Sequence, residues 1–354
     1  MTEFKDFDAT ALIALPKPYK GAEESHGLLI HNRPDLFTLL REQEGVDVHV
    51  SRGIDSIDAS TGKVSDVVRP AYGVSDTPVT LERFGEQQLS AYNVARSYGP
   101  TIDIDHYIES LNPMNVRNLA RHKHEVASTV LAPLGLYREN ILVTPDEAGA
   151  LSEADIALSH SLIMKPNGGF ASRDIVGGTP AEIRAHLLEG ITEDKLIEER
   201  LNFGLPIPSI RGRDAYEQAR LDEANEKIVN KELRLYSYGE NVWYPVARIA
   251  EADSLRLTGD EWVYIDEDSV PIAALVAANL VKQAIDEKTG KTDTLLAVDL
   301  VYVTSESRPE PHWEVMEVNA EAYIMRPENN QSVGVQHQQL LADQLGRIAR
   351  NSKH

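Results

Sequence analysis

Two apolar segments near the end of the sequence constrain the fold most strongly. Leu295 to Val303 and Trp313 to Asn319 are rich in β-branched and aromatic residues, and a polar connection separates them. This pattern predicts two adjacent antiparallel strands. Because side chains alternate between the two faces of a strand, Glu317 and Asn319 point to the same side. Asp299 joins them if the two strands pair.

Two carboxylates and a carboxamide oxygen on one face form a set of hard ligands. Magnesium prefers one or two carboxylates completed by the phosphate oxygens of a nucleotide. We therefore predict Asp299, Glu317 and Asn319 as metal ligands. A purely structural explanation, with Asp299 at a strand end and Glu317 on a solvated face, fits the spacing equally well.

An Asp on one strand followed by Glu-x-Asn on the next resembles the metal-binding strands of the ATP-grasp superfamily. The glutathione synthetase-like and ribosomal-protein glutamate ligase-like members are the most similar. The resemblance implies an α/β chain with an ATP-grasp fold preceded by a small α/β domain, and a nucleotide bound between two α+β subdomains. It also implies ATP as cofactor with Mg²⁺, or alternatively Mn²⁺.

Charge and composition limit the class of protein. The 354 residues suffice for two or three packed units, and 56 acidic against 35 basic residues give a net charge of −21,. Such a charge argues against general nucleic-acid binding. The chain has no Cys, no apolar run of the ~20 residues that a membrane span needs, and no secretory-signal layout at its start,. We expect a cytoplasmic protein that binds neither nucleic acid nor membrane.

The first 111 residues are predicted to form the small α/β domain,. Predicted strands lie at 27–31, 46–50 and 101–104, and predicted helices at 34–40 and 87–96,. No glycine-rich phosphate fingerprint follows the first strand, so we expect no dinucleotide site here. Residues 112–195 and 196–354 are predicted as the two ATP-grasp subdomains.

Two lysines are candidates for binding phosphate. Asn112-Pro113 opens a predicted helix from Met114 to Leu131 that carries Lys123,. The histidines on either side of Lys123 do not share a helix face, which argues against a metal pair. The segment resembles the entry to the ATP-grasp central domain, which implies that Lys123 reaches a nucleotide phosphate. A solvated basic helix face is the plain alternative.

The second lysine, Lys165, ends a predicted apolar strand and is followed by Gly168 and Gly169. Glycines allow the backbone to approach an anion closely. The resemblance implies that Lys165 and this loop contact phosphate, although a pair of glycines often forms only a turn. The following segment, Lys195 to Leu201, resembles the hinge of the family. The resemblance implies that Glu198, Glu199 and Leu201 lie at the adenine, and an ionised Glu198 would accept a hydrogen bond from the adenine amine.

Residues 231–240 and 242–249 are predicted to form a hairpin that resembles the glutathione synthetase-like pattern Asp-x-Arg, hairpin, Ala-Arg-Ile,. Its Arg234 and Arg248 lie among apolar neighbours, where guanidinium groups are costly unless they face anions. By resemblance, Arg234 binds a phosphate or acyl-phosphate and Arg248 the phosphates or a substrate carboxylate. The family's Arg-Gly-Asn loop is replaced by a segment that contains Arg256, which is the third candidate catalytic residue.

Three helices are also predicted. Residues 214–229 form a helix that is either simply solvated or, as a minority alternative, recognises a partner or peptide. Residues 269–286 are predicted to form an amphipathic helix that leads into Asp299. Residues 333–350 have apolar positions at helical spacing and are predicted to pack on the sheet,.

The order of the motifs favours an ATP-dependent carboxylate–amine ligase that forms an amide or peptide bond through an acyl-phosphate and releases ADP and phosphate. A small-molecule kinase and a non-catalytic nucleotide- or peptide-binding module are the alternatives. The expected substrates are amino acids or peptides, and family members are often homodimers. The substrates and the oligomeric state stay open at this point.

Overall fold

The computed structural model describes most of the chain from residue 114 to residue 320 and short segments outside that range. The described residues are 9–14, 39, 45–51, 57–58, 63–64, 67–70, 81–84, 87–88, 92–93, 114–136, 138–168, 174–201, 205–226, 229–238, 242–251, 261–292, 294–320, 339–340, 342–343 and 346–347. The chain divides into two compact units: Asn115–Ala320, and residues 1–114 together with 321–354. The division into 1–111, 112–195 and 196–354 stays a prediction.

The described residues of the N-terminal segment form short strands. They are β1 (Ala9–Ala14), β2 (Val46–Ser51), β3 (Ile57–Asp58), β4 (Lys63–Val64), β5 (Val67–Pro70), β6 (Leu81–Phe84), β7 (Gln87–Gln88) and β8 (Tyr92–Asn93). One sheet has the order β6-β5-β2-β1-β8, with β1 parallel to both β2 and β8, and β3, β4 and β7 form another.

Two predictions for this segment can be compared with the described strands. The strand predicted at 46–50 is confirmed as β2. The helix predicted over 87–96 is wrong where it is described, because β7 pairs with β4 and β8 pairs with β1. Sheet pairing has overridden local helix preference there. The elements predicted at 27–31 and 101–104 lie outside the described residues, as does the helix at 34–40 apart from the helical Leu39.

The second unit begins with two helices that are separated at His122. They are α1 (Met114–Arg121) and α2 (Lys123–Val126), followed by a π-helical turn Ala127–Leu131 and a 3-10 turn Ala132–Leu134. The prediction of one continuous helix from Met114 to Leu131 is therefore wrong at His122, whose φ of −95° and ψ of 94° are extended. The amides after the break bond to a distant loop instead of to the preceding helical turn.

A four-stranded antiparallel sheet follows. Its strands are β9 (Asn140–Val143), β10 (Leu162–Pro166), β11 (Val176–Gly178) and β12 (Lys195–Glu199), in the order β11-β10-β12-β9. Helix α3 (Pro180–Glu189) covers one face and buries Ile183 and Leu187. Thr179 caps this helix, because its side chain accepts from the Glu182 N–H while the Glu182 carboxylate accepts from the Thr179 N–H,.

The second sheet of this unit is also antiparallel. Its strands are β13 (Val229–Tyr238), β14 (Val242–Glu251), β15 (Glu261–Tyr264), β16 (Ala297–Val303) and β17 (His312–Asn319), in the order β15-β14-β13-β16-β17. The predicted hairpin is confirmed, since β13 and β14 pair along their whole length. The two strands predicted near the end of the sequence also pair, with Asp299 opposite Glu317.

The faces of this sheet differ, as period-two alternation requires. Leu233, Leu235, Ala247, Ile249, Val298 and Leu300 are buried in the main core. Helix α5 (Ile272–Thr289) packs on them through Ala274, Ala278, Val281 and Ile285, close to the predicted bounds. The opposite face carries the polar side chains described below.

Helix α4 (Ala215–Glu226) lies where a helix was predicted over 214–229. It is not simply solvated, because Leu221 and Glu217 are fully buried. The Glu217 carboxylate accepts from the Tyr264 N–H, and Arg220 donates to the Trp262 carbonyl. These two hydrogen bonds hold the helix against β15. None of the helices in the described part of the chain has the length and apolar character of a membrane span.

Candidate functional site

A closed set of alternating charges lies on the polar face of the five-stranded sheet. Arg234 on β13 faces Asp299 on β16, and its Nε and Nη2 donate to the two carboxylate oxygens at 2.5 Å each. Arg248 on β14 donates to Glu232 at 2.8 Å. The second contacts, from Arg234 to Glu232 and from Arg248 to Asp299, are 3.9 Å long. The two arginines and the two carboxylates thus neutralise one another on the polar face of the sheet, where their side chains are largely buried.

Glu232 was missed as a site residue in the sequence analysis. It precedes Arg234 by two positions and therefore shares its face of β13, which was the available signal. Burial raises the pKa of Glu232 to about 7, and the carboxylates of Asp299 and Glu317 act in the same direction against the two arginines. Burial, more than the neighbouring carboxylates, therefore favours the protonated form of Glu232.

Trp262 on β15 covers the two arginines and was also missed. Its ring lies 5.7 Å from the guanidinium carbon of Arg234 and 5.3 Å from that of Arg248. Arg248 is directly opposite Trp262 in the strand register. These cation–π contacts stabilise the positions of both guanidinium groups.

The three predicted metal ligands lie together at the β16–β17 pair. Asn319 donates its Nδ2 hydrogen to Asp299 at 3.1 Å, and Asp299 itself is 1% exposed. Glu317 is opposite Asp299 and forms an ion pair with Lys123 at 3.2 Å. Burial would raise the pKa of Glu317, but Lys123, Lys165 and Arg234 together lower it, so the carboxylate is ionised.

A second charged cluster links the two sheets of this unit. Lys165 at the end of β10 contacts Glu198 on β12 at 2.7 Å, and Arg138 contacts the same carboxylate. Arg138 also reaches Glu314 on β17 at 3.3 Å. Burial lowers the pKa of Lys165, partly offset by Glu198. Burial would raise the pKa of Glu198, but Arg138 and Lys165 outweigh it and the net direction is down.

A pocket connects the two clusters. Lys123, Arg138, Glu198, Met316 and Glu317 line it, together with apolar residues of the helices before Leu131 and of β17. The pocket therefore combines two cations and two carboxylates, paired as Lys123–Glu317 and Arg138–Glu198, with apolar side chains. This combination suits a ligand that has both an apolar ring system and anionic groups.

The remaining predicted residues have different surroundings. Glu199 faces away from Glu198, and its carboxylate accepts from the Glu306 N–H at 2.5 Å and from the Ser307 hydroxyl at 2.9 Å. Leu201 is buried against Val301 and Val303. Gly168 lies two residues after the end of β10, with nothing within 4 Å of the place a Cβ would take. Gly169 and Arg256 lie outside the described residues.

The side chain of His124, beside Lys123, has a polar partner. The Nδ1 of His124 lies 2.7 Å from the Oδ1 of Asn140. Among the described residues, no group of three or more His, Asp or Glu side chains could hold a metal ion. Asp299, Glu317 and Asn319 together present two carboxylates and one carboxamide.

Comparisons with known proteins identify the fold. No protein-family model and no curated protein sequence matches the chain. D-alanyl-alanine synthetase A from Vibrio cholerae is similar in structure over 97% of this chain and 99% of its own, with 14% identity and a TM-score of 0.58. An ATP-grasp RimK domain protein from Sphaerobacter thermophilus matches over 94% and 98%, with 12% identity and a TM-score of 0.51.

A third structure, macrocyclase MdnC from Microcystis aeruginosa with its precursor peptide MdnA bound, matches over 97% of this chain and 99% of its own, at 14% identity and a TM-score of 0.52. At such identities the similarity establishes the fold. The chain has the ATP-grasp fold, as the resemblance of its motifs implied.

Proposed function

We propose that this protein is an ATP-dependent carboxylate–amine ligase. The observation that carries the proposal is the register of β16 and β17, which places Asp299 opposite Glu317 on the sheet face that bears Arg234 and Arg248. Lys123 extends to the same carboxylate pair from α2. Paired anions beside a set of cations are what a metal–polyphosphate complex requires.

The residues present fit a magnesium ion. Asp299, Glu317 and Asn319 supply hard oxygen ligands, and two of them are carboxylates that can neutralise a divalent cation,. When bound, the cation neutralises charge on the nucleotide phosphates. Arg234 donates to both oxygens of Asp299 at 2.5 Å, so the guanidinium and a bound cation would share this carboxylate.

The other predicted residues have proposed roles around the nucleotide. Lys123 and Lys165 hold phosphate oxygens, and the backbone of Gly168 and Gly169 approaches them closely. Glu198 and Leu201 lie at the adenine end. Glu199 contributes through its backbone, because its carboxylate is already held by the β16–β17 loop.

The reaction needs no protein nucleophile. A carboxylate oxygen of the first substrate attacks the γ-phosphorus of ATP, the bond to ADP breaks, and an acyl-phosphate forms. The amine of the second substrate then attacks the acyl carbon, and phosphate leaves with the pair of electrons. Arg234 and Arg248, with Arg256 as a further candidate, stabilise the developing oxyanions. Positioning and charge neutralisation therefore supply the catalysis.

The proposed substrates are amino acids or peptides. Two structurally similar proteins act in that chemical range: one is named D-alanyl-alanine synthetase, and MdnC is described with a precursor peptide. A carboxylate and an amine of amino-acid type suit a site with two arginines and a carboxylate-lined pocket,.

The experiment that tests this proposal measures ATP consumption over a panel of amino acids and pooled peptides, with mass spectrometry of the products. Wild type should release ADP and phosphate and join two substrates with loss of water. Glu317→Ala should abolish the reaction, whereas Glu310→Ala, an exposed glutamate on the β16–β17 loop, should not. A stable phosphorylated product, or absence of nucleotide turnover with every substrate, would contradict the proposal.

A further inference from the structure

Helix α2 begins without a capping side chain of its own. The extended residue before it, His122, makes no side-chain capping bond. The first two amides of the helix instead donate to one residue of a distant loop: Lys123 N–H to the Asn167 carbonyl at 3.1 Å, and His124 N–H to the Asn167 side-chain oxygen at 2.9 Å. Asn167 therefore acts as the helix cap from 43 residues away in sequence,.

Asn167 is also fixed on its other sides. Its N–H donates to the Asp194 carbonyl at 2.9 Å, just before β12, and it follows Lys165 by two residues. It is 7% exposed. One residue thus ties together the start of α2, the end of β10 and the start of β12.

These three segments carry Lys123 and Glu198, which line the pocket, and Lys165, which pairs with Glu198. Lys123 leaves the backbone at the capped position and reaches Glu317, while Lys165 and Glu198 pair on the neighbouring strands. A lysine ammonium group lies at the end of a flexible stem. Because this stem adds its own freedom, the ammonium group is well placed only when its backbone is firmly held. The capping of α2 is what holds the backbone of Lys123.

We propose that Asn167 is a positioning residue that sets Lys123 for phosphate binding. This inference rests on the nucleotide-binding function proposed above. Nothing in it requires Asn167 to touch the nucleotide. Without the side-chain oxygen, the N-terminus of α2 is expected to fray, and nucleotide binding must then restore its order.

The test is ATP affinity by calorimetry with Mg²⁺ present and no amino-acid or peptide substrate added, so that no ligase turnover occurs. Asn167→Ala should weaken ATP binding by about 5-fold, the factor that loss of a helix cap corresponds to. In a Lys123→Met background, the same substitution should have no further effect, because its influence passes through Lys123. Thr179→Ala removes the cap of α3 and should lower the melting temperature comparably without changing ATP affinity.

Each outcome is decisive. The positioning role is overturned if the Asn167→Ala variant binds ATP with wild-type affinity. It is also overturned if Asn167→Ala weakens ATP binding as much in the Lys123→Met background as in wild type. In both cases the proposed function is unaffected. If Thr179→Ala weakens binding as much as Asn167→Ala, the effect is general destabilisation and the inference fails. If wild type binds no ATP, the proposed function fails and the inference falls with it.

Discussion

Replacing Arg234 with alanine should strengthen the binding of a divalent cation although it weakens the fold. The guanidinium donates to both oxygens of Asp299 at 2.5 Å, so a cation that uses this carboxylate must bind next to a positive charge that is already paired with it,. Both side chains are buried, which prevents water from replacing the lost contacts easily,. Arg234 and the cation therefore compete for one ligand.

The two opposing effects have estimable magnitudes. Hydrogen bonds between charged groups contribute ~1.5–3 kcal/mol, so removal of the competitor should tighten metal binding by ~10- to 100-fold. Breaking one partner of a buried ion pair typically costs ~3–5 kcal/mol of stability, because the remaining charge is left uncompensated. The variant should therefore be less stable without metal and should recover much of the loss when metal is added.

The assay is a titration with Mn²⁺ alone, followed by the electron paramagnetic resonance of the free ion, with melting curves alongside. Lys282→Ala is a matched control, since Lys282 is buried and pairs with Asp286 at 2.5 Å on α5. It should lower stability without changing Mn²⁺ affinity. Binding by Arg234→Ala that is no tighter than wild type would refute the competition, and absence of binding by either protein would refute the metal site.

Three further results are expected. Gly212→Ala should cost ~2 kcal/mol or more in urea unfolding, because its Cβ would lie 2.2 Å from the Gln218 nitrogen, whereas Gly149→Ala, with open space, should not,. Glu199→Ala should lower the melting temperature but leave ATP affinity nearly unchanged, because the Glu199 carboxylate holds the β16–β17 loop. A large loss of ATP affinity would contradict this role. Because the pKa of Glu232 is raised to about 7, its contribution to stability should fall as pH rises toward that value. The free energy of unfolding should fall by at most ~1.4 kcal/mol per pH unit, measured without metal from pH 5 to 8. This decrease should be absent in Glu232→Gln.

The strands around the site were predictable from sequence because their patterns are local. Alternating and β-branched runs located β13, β14, β16 and β17, and the period of two placed Glu317 and Asn319 on one face. The order of short motifs along the chain implied the fold. Both kinds of information are contained in neighbouring residues.

The features that were missed depend on contacts between distant segments. The helix break at His122 follows from hydrogen bonds to Asn167, which no local preference of residues 114–131 reveals. The carboxylates of Glu198 and Glu199 are adjacent in sequence, yet one faces the pocket and the other a loop. The burial of Glu217 in α4 likewise depends on β15.

The most direct test of the proposed ligase uses the carboxylate substrate that the panel identifies, labelled with ¹⁸O in its carboxyl group. Attack of a carboxylate oxygen on the γ-phosphorus, followed by expulsion of phosphate by an amine, transfers one labelled oxygen to phosphate for each amide formed. The expected result is therefore one ¹⁸O in each released phosphate, measured by mass spectrometry. Unlabelled phosphate, or label retained in a stable phosphorylated product, would contradict the account.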